Sequence, residues 1–169
     1  MELLSDVDLH FIANVLKIPL NEVLQKNRFA QLTPKQGGYI INLQSSLDGN
    51  GSHWCALTIT ESYAVYWDSF GLPIPTPILR FIYRHPTKLK IIYSVDQIQV
   101  TASVWCGWFC LYFLYFMTVL HKNVPDKKKL LNKHNAIYSL ENKQLNDRIL
   151  HKLVKNAIKG KPMNGRGNI

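Results

Sequence analysis

The chain has little cysteine. Three residues in 169 (Cys55, Cys106, Cys110) are too few, and odd in number, for a disulfide scaffold. Its opening, Met-Glu-Leu-Leu-Ser-Asp, lacks the basic start and long apolar run of a secretory leader. The expectation is therefore a protein of a reducing compartment that is not secreted. Glycine and proline are modest, at nine and eight, while 47% of residues are hydrophobic and 18% charged, which excludes a disordered or low-complexity chain. Acidic residues are scarce in one place only. Residues 1–120 carry eight basic and eight acidic side chains, whereas residues 121–169 carry twelve and three, the whole formal charge of +9. A neutral body with a cationic end suits polyanions: nucleic acid first, an acidic membrane surface second. Charge is also missing from Val100 to Leu120, 21 residues that would be long enough to span a bilayer. Thr101, Ser103, Cys106 and Gly107 crowd one end of that run, so a buried helix is the reading adopted and no membrane partner is expected.

The length predicts one domain over residues 1–159, followed by a mobile tail, 160–169, in which Gly, Pro and Asn recur without periodicity. Ser5 and Asp8 form a capping box for a helix bearing Leu9, Ile12, Ala13 and Leu16, which Pro19 ends. A short second helix is expected over Asn21–Gln25, a strand over Tyr39–Leu43, and a hairpin from His53–Ile59 and Tyr63–Asp68. Pro73, Pro75 and Pro77 stiffen the next connection. A short helix over 78–84, a strand at Leu89–Tyr93 and a helix buried nearly all round at Trp105–His121 follow. After Pro125 the chain reads as basic and partly irregular, ending in an amphipathic helix over Gln144–Ile158 with Leu145, Ile149, Leu153 and Val154 on one face. This is an α+β order of elements.

Centring the hairpin between Thr60 and Glu61 sets His53 opposite Asp68, Cys55 opposite Tyr66 and Leu57 opposite Ala64. Opposed residues lie close on one face, so the carboxylate accepts a hydrogen bond from one imidazole nitrogen and leaves the other free. Cys106 falls in the first turn of the long apolar helix, where unpaired backbone N–H groups favour a thiolate. Cys, His and Asp so arranged suit nucleophilic acyl transfer. The side-chain amide of Gln99, seven residues earlier, pairs with the Cys106 N–H as an oxyanion hole worth roughly 3–4 kcal/mol. Cys55 and Cys110 read as core thiols, because no second ligand pair at finger-like spacing supports a metal site.

These residues resemble the adenoviral proteinase (adenain) family of cysteine endopeptidases. Gly51-Ser-His-Trp54 is similar to the Gly-x-His-Trp around that family's catalytic His. Trp67-Asp-Ser-Phe-Gly71 is similar to its acidic-x-Phe-Gly motif, and Gln99 through Cys106-Gly-Trp-Phe-Cys110 resembles Gln-x6-Cys-Gly-x-Phe-Cys. The resemblance implies a papain-like fold with the nucleophile on a central buried helix, packed on a small mixed or antiparallel sheet. It implies catalysis by Cys106, His53, Asp68 and Gln99 and substrate contacts at Gly51 and Trp54. Trp54 itself is expected to pack beside the His as a shield, to be an ordinary core aromatic, or both. It implies a monomer that needs no metal and matures virion precursor proteins, with DNA and a peptide as activators, in the virion and the host nucleus or viral factory. Asp68 stands where adenoviral enzymes have Glu and the SUMO and ubiquitin-like protease relatives have Asp. Residues 85–98 contain no Cys to tether an activating peptide.

Two alternatives accompany this reading: a SUMO/ubiquitin-like isopeptidase with the same four roles, and a basic nucleic-acid-binding structural protein with Cys106 in its core. Lys127, Lys128, Lys129, Lys133, Lys152, Lys155 and Lys159 are the expected DNA contacts, non-specific and salt-dependent. The family cuts after (Met/Ile/Leu)-x-Gly-x before Gly, and Met163-Asn-Gly-Arg166 precedes Gly167, so self-cleavage is expected between Arg166 and Gly167. Leu47-Asp-Gly-Asn50 before Gly51 fits the same pattern.

Overall fold

The computed structural model describes residues 2–45 and 53–159. Gly51, both matches to the cleavage pattern, and the residues expected to form a tail lie outside them. The fold is α+β. Five strands, β1 (Leu20–Gln25), β2 (Gly37–Asn42), β3 (Trp54–Ile59), β4 (Tyr63–Trp67) and β5 (Lys90–Tyr93), form one sheet in chain order. β1–β2 and β4–β5 pair in parallel, while β3 runs antiparallel to both its neighbours. The two parallel joins step across the sheet in the same direction, so right-handed crossovers put both on one face. That face receives the 3₁₀ turn Lys26–Gln31 and helix α2 (Thr76–Tyr83), with Phe29, Ile78 and Phe81 packed on Tyr39, Leu57 and Tyr66. The opposite face is left for the remaining helices.

Helix α3 (Cys106–Tyr115) fills that face, buried at every position except Trp108 and Tyr115. α1 (Asp6–Val15), α4 (Lys127–Asn135) and α5 (Lys143–Ile158) surround it over Ile40, Ala56, Val65 and Trp67 of the sheet. The expected capping box opens α1: Ser5 Oγ accepts from the Asp8 N–H at 3.2 Å, and the Asp8 carboxylate accepts from the Ser5 N–H at 2.9 Å. α3 does not run on regularly to His121. Phe116–Leu120 is a π turn, beside which the Thr118 hydroxyl donates to the Leu114 carbonyl at 2.7 Å. Among the described residues no helix is long and apolar enough to cross a membrane.

Three elements differ from expectation. Leu20–Gln25 is a strand rather than a short helix, because pairing with β2 from Leu20–Gly38 to Gln25–Asn42 overrides its local pattern. Helix α4 occupies the stretch expected to be irregular: Asp126 caps it by accepting from the Lys129 N–H at 3.0 Å, and Leu130, Leu131 and His134 sink into the core. On α5 the buried stripe is Asn146, Leu150, Leu153, Val154 and Ala157, so Leu145 and Ile149 flank it.

The hairpin register also differs. Ala56 faces Trp67, Leu57 faces Tyr66 and Ile59 faces Ala64. The turn spans Thr60–Tyr63, closed by the Thr60 N–H to the Tyr63 carbonyl at 2.8 Å and the Tyr63 N–H to Thr60 Oγ1 at 3.0 Å. Cys55 is therefore not opposite Tyr66, nor Leu57 opposite Ala64. A shift of two residues keeps every side chain on its face, whereas a shift of one would not. His53 and Asp68, just beyond the strand ends, become diagonal neighbours rather than an opposed pair.

Candidate active site

The end of β3 delivers His53 and the end of β4 delivers Asp68, both nearly or fully buried. His53 Nε2 lies 2.9 Å from Asp68 Oδ1, which also accepts the Phe70 N–H at 2.7 Å. The chain turns back at once, with the Gly71 N–H donating to the Asp68 carbonyl at 3.0 Å. Gly71 has φ +70°, and a side chain there would run into the Val95 carbonyl, so only glycine fits this turn. Phe70 emerges from the turn to stack on the imidazole, ring centroids 4.3 Å apart and 19° from parallel.

With Nε2 committed to Asp68, the buried Nδ1 has no hydrogen-bond partner of good geometry among the described residues. The other group acting on the ring is Cys106. Burial pushes the imidazole pKa down, but hydrogen bonding with Asp68 and Cys106, together with their charge, outweighs it and lifts His53 from 6.5 to about 9. That direction favours the protonated ring. Burial raises Cys55 and Cys110 well above the ordinary thiol value, so both stay neutral core groups.

Cys106 opens α3, whose N-cap Trp105 supplies no side-chain cap. The first-turn N–H groups are thus free of side-chain competition. Gly107 lets α1 close over this end of the helix, since a Cβ there would press on Leu4 and Leu9.

Gln99 is fully buried in the loop between β5 and α3. Its N–H and that of Ile98 both donate to the Ser69 carbonyl, at 2.9 and 2.8 Å. Its Oε1 accepts from Ser69 Oγ at 2.6 Å and its Nε2 donates to the Ser103 carbonyl at 2.7 Å. An amide nitrogen carries two hydrogens, so this bond leaves one for another acceptor. The carboxamide therefore sits between the residue after Asp68 and the segment that leads into Cys106.

The structure brings His53, Asp68 and Cys106 together and ties Gln99 to the residues that flank them. It places Trp54 elsewhere than beside the ring: the indole belongs to the α3 side of the sheet and donates to the Leu4 carbonyl at 3.2 Å. Phe70 covers His53 instead. Trp54 lines a groove of about 520 Å3 together with Leu4, Asp6, Val23, Leu24 and Asn42. Lys128, Lys129 and Lys133 on α4, Lys152 and Lys155 on α5, and Lys159 just past its end are exposed, but Lys127 is not. It is 5% exposed, its ammonium donates to the Lys122 carbonyl at 3.3 Å, and burial lowers its pKa. Among the described residues no three His, Cys, Asp or Glu side chains gather as a metal site.

Sequence reasoning missed Phe70, Ser69 and Ser103. The first two stand inside the Trp-Asp-Ser-Phe-Gly segment, so adjacency to Asp68 was an available signal. Ser103 carried none.

No protein-family model and no curated protein sequence matches the chain. Among solved structures it is similar to the ASFV pS273R protease, at 14% identity and a TM-score of 0.43, covering 86% of this chain and 61% of that one. The selenomethionine form of the same protease gives 17% identity and a TM-score of 0.38, covering 75% of this chain and 44% of that one. The chain thus spans less than two thirds of the length of the protease it matches.

Proposed function

We propose that the protein is a cysteine endopeptidase. The observation that carries this reading is the His53 imidazole, oriented through Nε2 by Asp68 at 2.9 Å, with Cys106 acting on the same ring. A Cys thiolate beside an imidazolium is a nucleophile and an acid in one unit. In the reaction the Cys106 sulfur attacks the scissile carbonyl carbon. Its oxygen takes up negative charge, received by the Cys106 N–H and the second Gln99 Nε2 hydrogen. The intermediate collapses to a thioester as His53 gives its proton to the departing amine. His53 then takes a proton from water, the resulting hydroxide attacks the thioester, and the acid product leaves with Cys106 regenerated. The groove from Trp54 along α1 and β1 gives an extended chain a place to lie.

The substrate preference follows from the resemblance to the adenain family: Met, Ile or Leu, any residue, Gly, any residue, then Gly, in viral precursor proteins and with stimulation by DNA. A quenched fluorescent peptide carrying Met-Asn-Gly-Arg-Gly, with and without duplex DNA, tests the cleavage pattern and the stimulation. Cleavage by the wild type and none by Cys106→Ser is expected, with faster cleavage when DNA is present. Cleavage of a ubiquitin-like precursor but not of this peptide would replace the endopeptidase with an isopeptidase. No cleavage of either, with Cys106 inert to iodoacetamide near neutral pH, would reject the enzyme.

A further inference from the structure

The carboxamide of Gln99 has no support from its own loop except Ser103, yet it is fully buried and fixed at both ends. The loop is tied on one side to Ser69 and on the other to the C-terminal helices. Asn146, on α5 and fully buried, donates from Nδ2 to the Ile98 carbonyl at 2.8 Å, across 48 residues of chain. The same nitrogen donates to the Ser139 carbonyl at 2.8 Å, and Oδ1 accepts the Ser139 N–H at 2.8 Å. Both donors and one acceptor of the side chain are thereby spent on backbone. The next residue, Asp147, accepts from Ser103 Oγ at 3.2 Å.

Two consecutive residues of α5 thus grip the loop on either side of Gln99. One fixes the carbonyl just before it. The other fixes Ser103, whose own carbonyl receives Gln99 Nε2. A second clamp lies upstream, where Asn135 Nδ2 donates to Ser94 Oγ at 2.6 Å and Asp96 Oδ2 at 2.8 Å. Neither asparagine has a hydrogen bond to His53, Asp68 or Cys106. Asn146 reaches the loop through Ile98 and its own connection through Ser139, whereas Asn135 Oδ1 also accepts from Trp67 Nε1 at 3.0 Å, one residue before Asp68.

We propose that Asn146 is a positioning residue for oxyanion binding. It acts through the Ile98 peptide to set the Gln99 carboxamide, and it does not prepare the thiolate. This rests on the endopeptidase reading and divides it into two separable parts. Alkylation of Cys106 by iodoacetamide needs the thiolate and its imidazolium but builds no oxyanion. Hydrolysis needs both. Displacement of a positioned group by an ångström is enough to cost an order of magnitude or two in turnover.

The test measures kcat on the quenched Met-Asn-Gly-Arg-Gly peptide, and the alkylation rate of Cys106 near neutral pH, in wild type, Asn146→Ala, Gln99→Ala and the double variant. Leu150→Ala, which opens a cavity on the same buried stripe of α5 and removes no hydrogen bond to the loop, controls for reduced stability. Asn146→Ala is expected to lower kcat about tenfold or more while alkylation stays within about twofold. Leu150→Ala is expected to keep kcat near wild type at temperatures where both variants are folded. The double variant is expected to be no slower than Gln99→Ala alone, because two groups acting in one chain of interactions do not add. Additive losses, an equal fall in alkylation, or an equal kcat loss in Leu150→Ala would overturn the proposal. An inert Cys106 in the wild type would instead bring down the endopeptidase reading itself, a different and recognisable result.

Discussion

Phe70 lies flat against the His53 imidazole, ring centroids 4.3 Å apart, and so closes one face of the ring to water. Its backbone N–H at the same time donates to the carboxylate that orients that ring. One residue therefore shields the pair and fixes the aspartate. Phe70→Ala keeps the backbone bond and removes the shield. Water then screens the His53–Asp68 attraction, which is stronger in a dry site. Alkylation of Cys106 at neutral pH should slow several-fold and stability should fall by about 1 kcal/mol, the scale of one aromatic pair. An unchanged alkylation rate would reduce Phe70 to packing.

His53 also gives the fold an alkaline limit. Its folded pKa of about 9 exceeds the unfolded value of 6.5, so its stabilising contribution is complete below about pH 6.5 and is lost as pH climbs through about 9. The midpoint of urea unfolding should decline across that window in the wild type and stay flatter in Asp68→Asn. Peptide cleavage should fall above about pH 9, once the leaving amine has no imidazolium to protonate it.

The acid limit comes from a different histidine. His134 is fully buried among Trp67, Tyr112, Phe113, Phe116 and Tyr138, and burial drives its pKa from 6.5 down to about 4 against a hydrogen bond with Asn135. The unfolded chain takes up the proton first, so stability is full above about pH 6.5 and falls by roughly 3 kcal/mol as pH drops to about 4. His134→Phe should remove that part of the acid limb in a denaturant titration. A limb of equal depth in the variant would show that other groups carry it.

The three thiols should separate cleanly by reactivity. Cys55 and Cys110 are completely buried, with pKa values pushed upward by that burial. Native-state labelling with iodoacetamide followed by peptide mapping should mark Cys106 first and leave the other two until the chain unfolds. Labelling of all three at one rate would contradict the structure around α3.

The lysines should separate as well. We propose that duplex DNA meets the exposed lysines of α4 and α5 and not Lys127. Changing Lys152, Lys155 and Lys159 to Glu should weaken binding and make its salt dependence shallower, by about 0.9 in the logarithmic slope for each phosphate no longer neutralised. Lys127→Ala should leave that slope alone and lower stability instead, because it exposes the Lys122 carbonyl and the apolar surface that the lysine stem covers. A slope reduced by Lys127→Ala alone would reverse this assignment.

Much of the site was readable before the fold was known, for a reason visible in the hairpin. Placing His53 and Asp68 on one face required only that any error of register be an even number, and it was two. Cys106 was legible because a chain of apolar residues begins at it. Leu20–Gln25 was not: Leu20, Val23 and Leu24 have helical spacing, and only the parallel partner β2 makes the segment a strand. Helix α4 was hidden by its four lysines, one of which, Lys127, turns inward. Asn135 and Asn146 were beyond reach, since their hydrogen bonds join segments about 40 to 50 residues apart and a polar side chain on a helix reads as solvent-facing until its partners are known.

The helix that carries Cys106 and the strand ends that deliver His53 and Asp68 are all synthesised before Lys143, where α5 begins. A ribosome-bound chain that had not yet made α5 would own its reactive sulfur and the Ser69 bonds to Ile98 and Gln99, while the Ile98 carbonyl still lacked its Asn146 donor. The hydrolytic half of the proposed reaction would then mature only once α5 has emerged and docked, after the thiol itself.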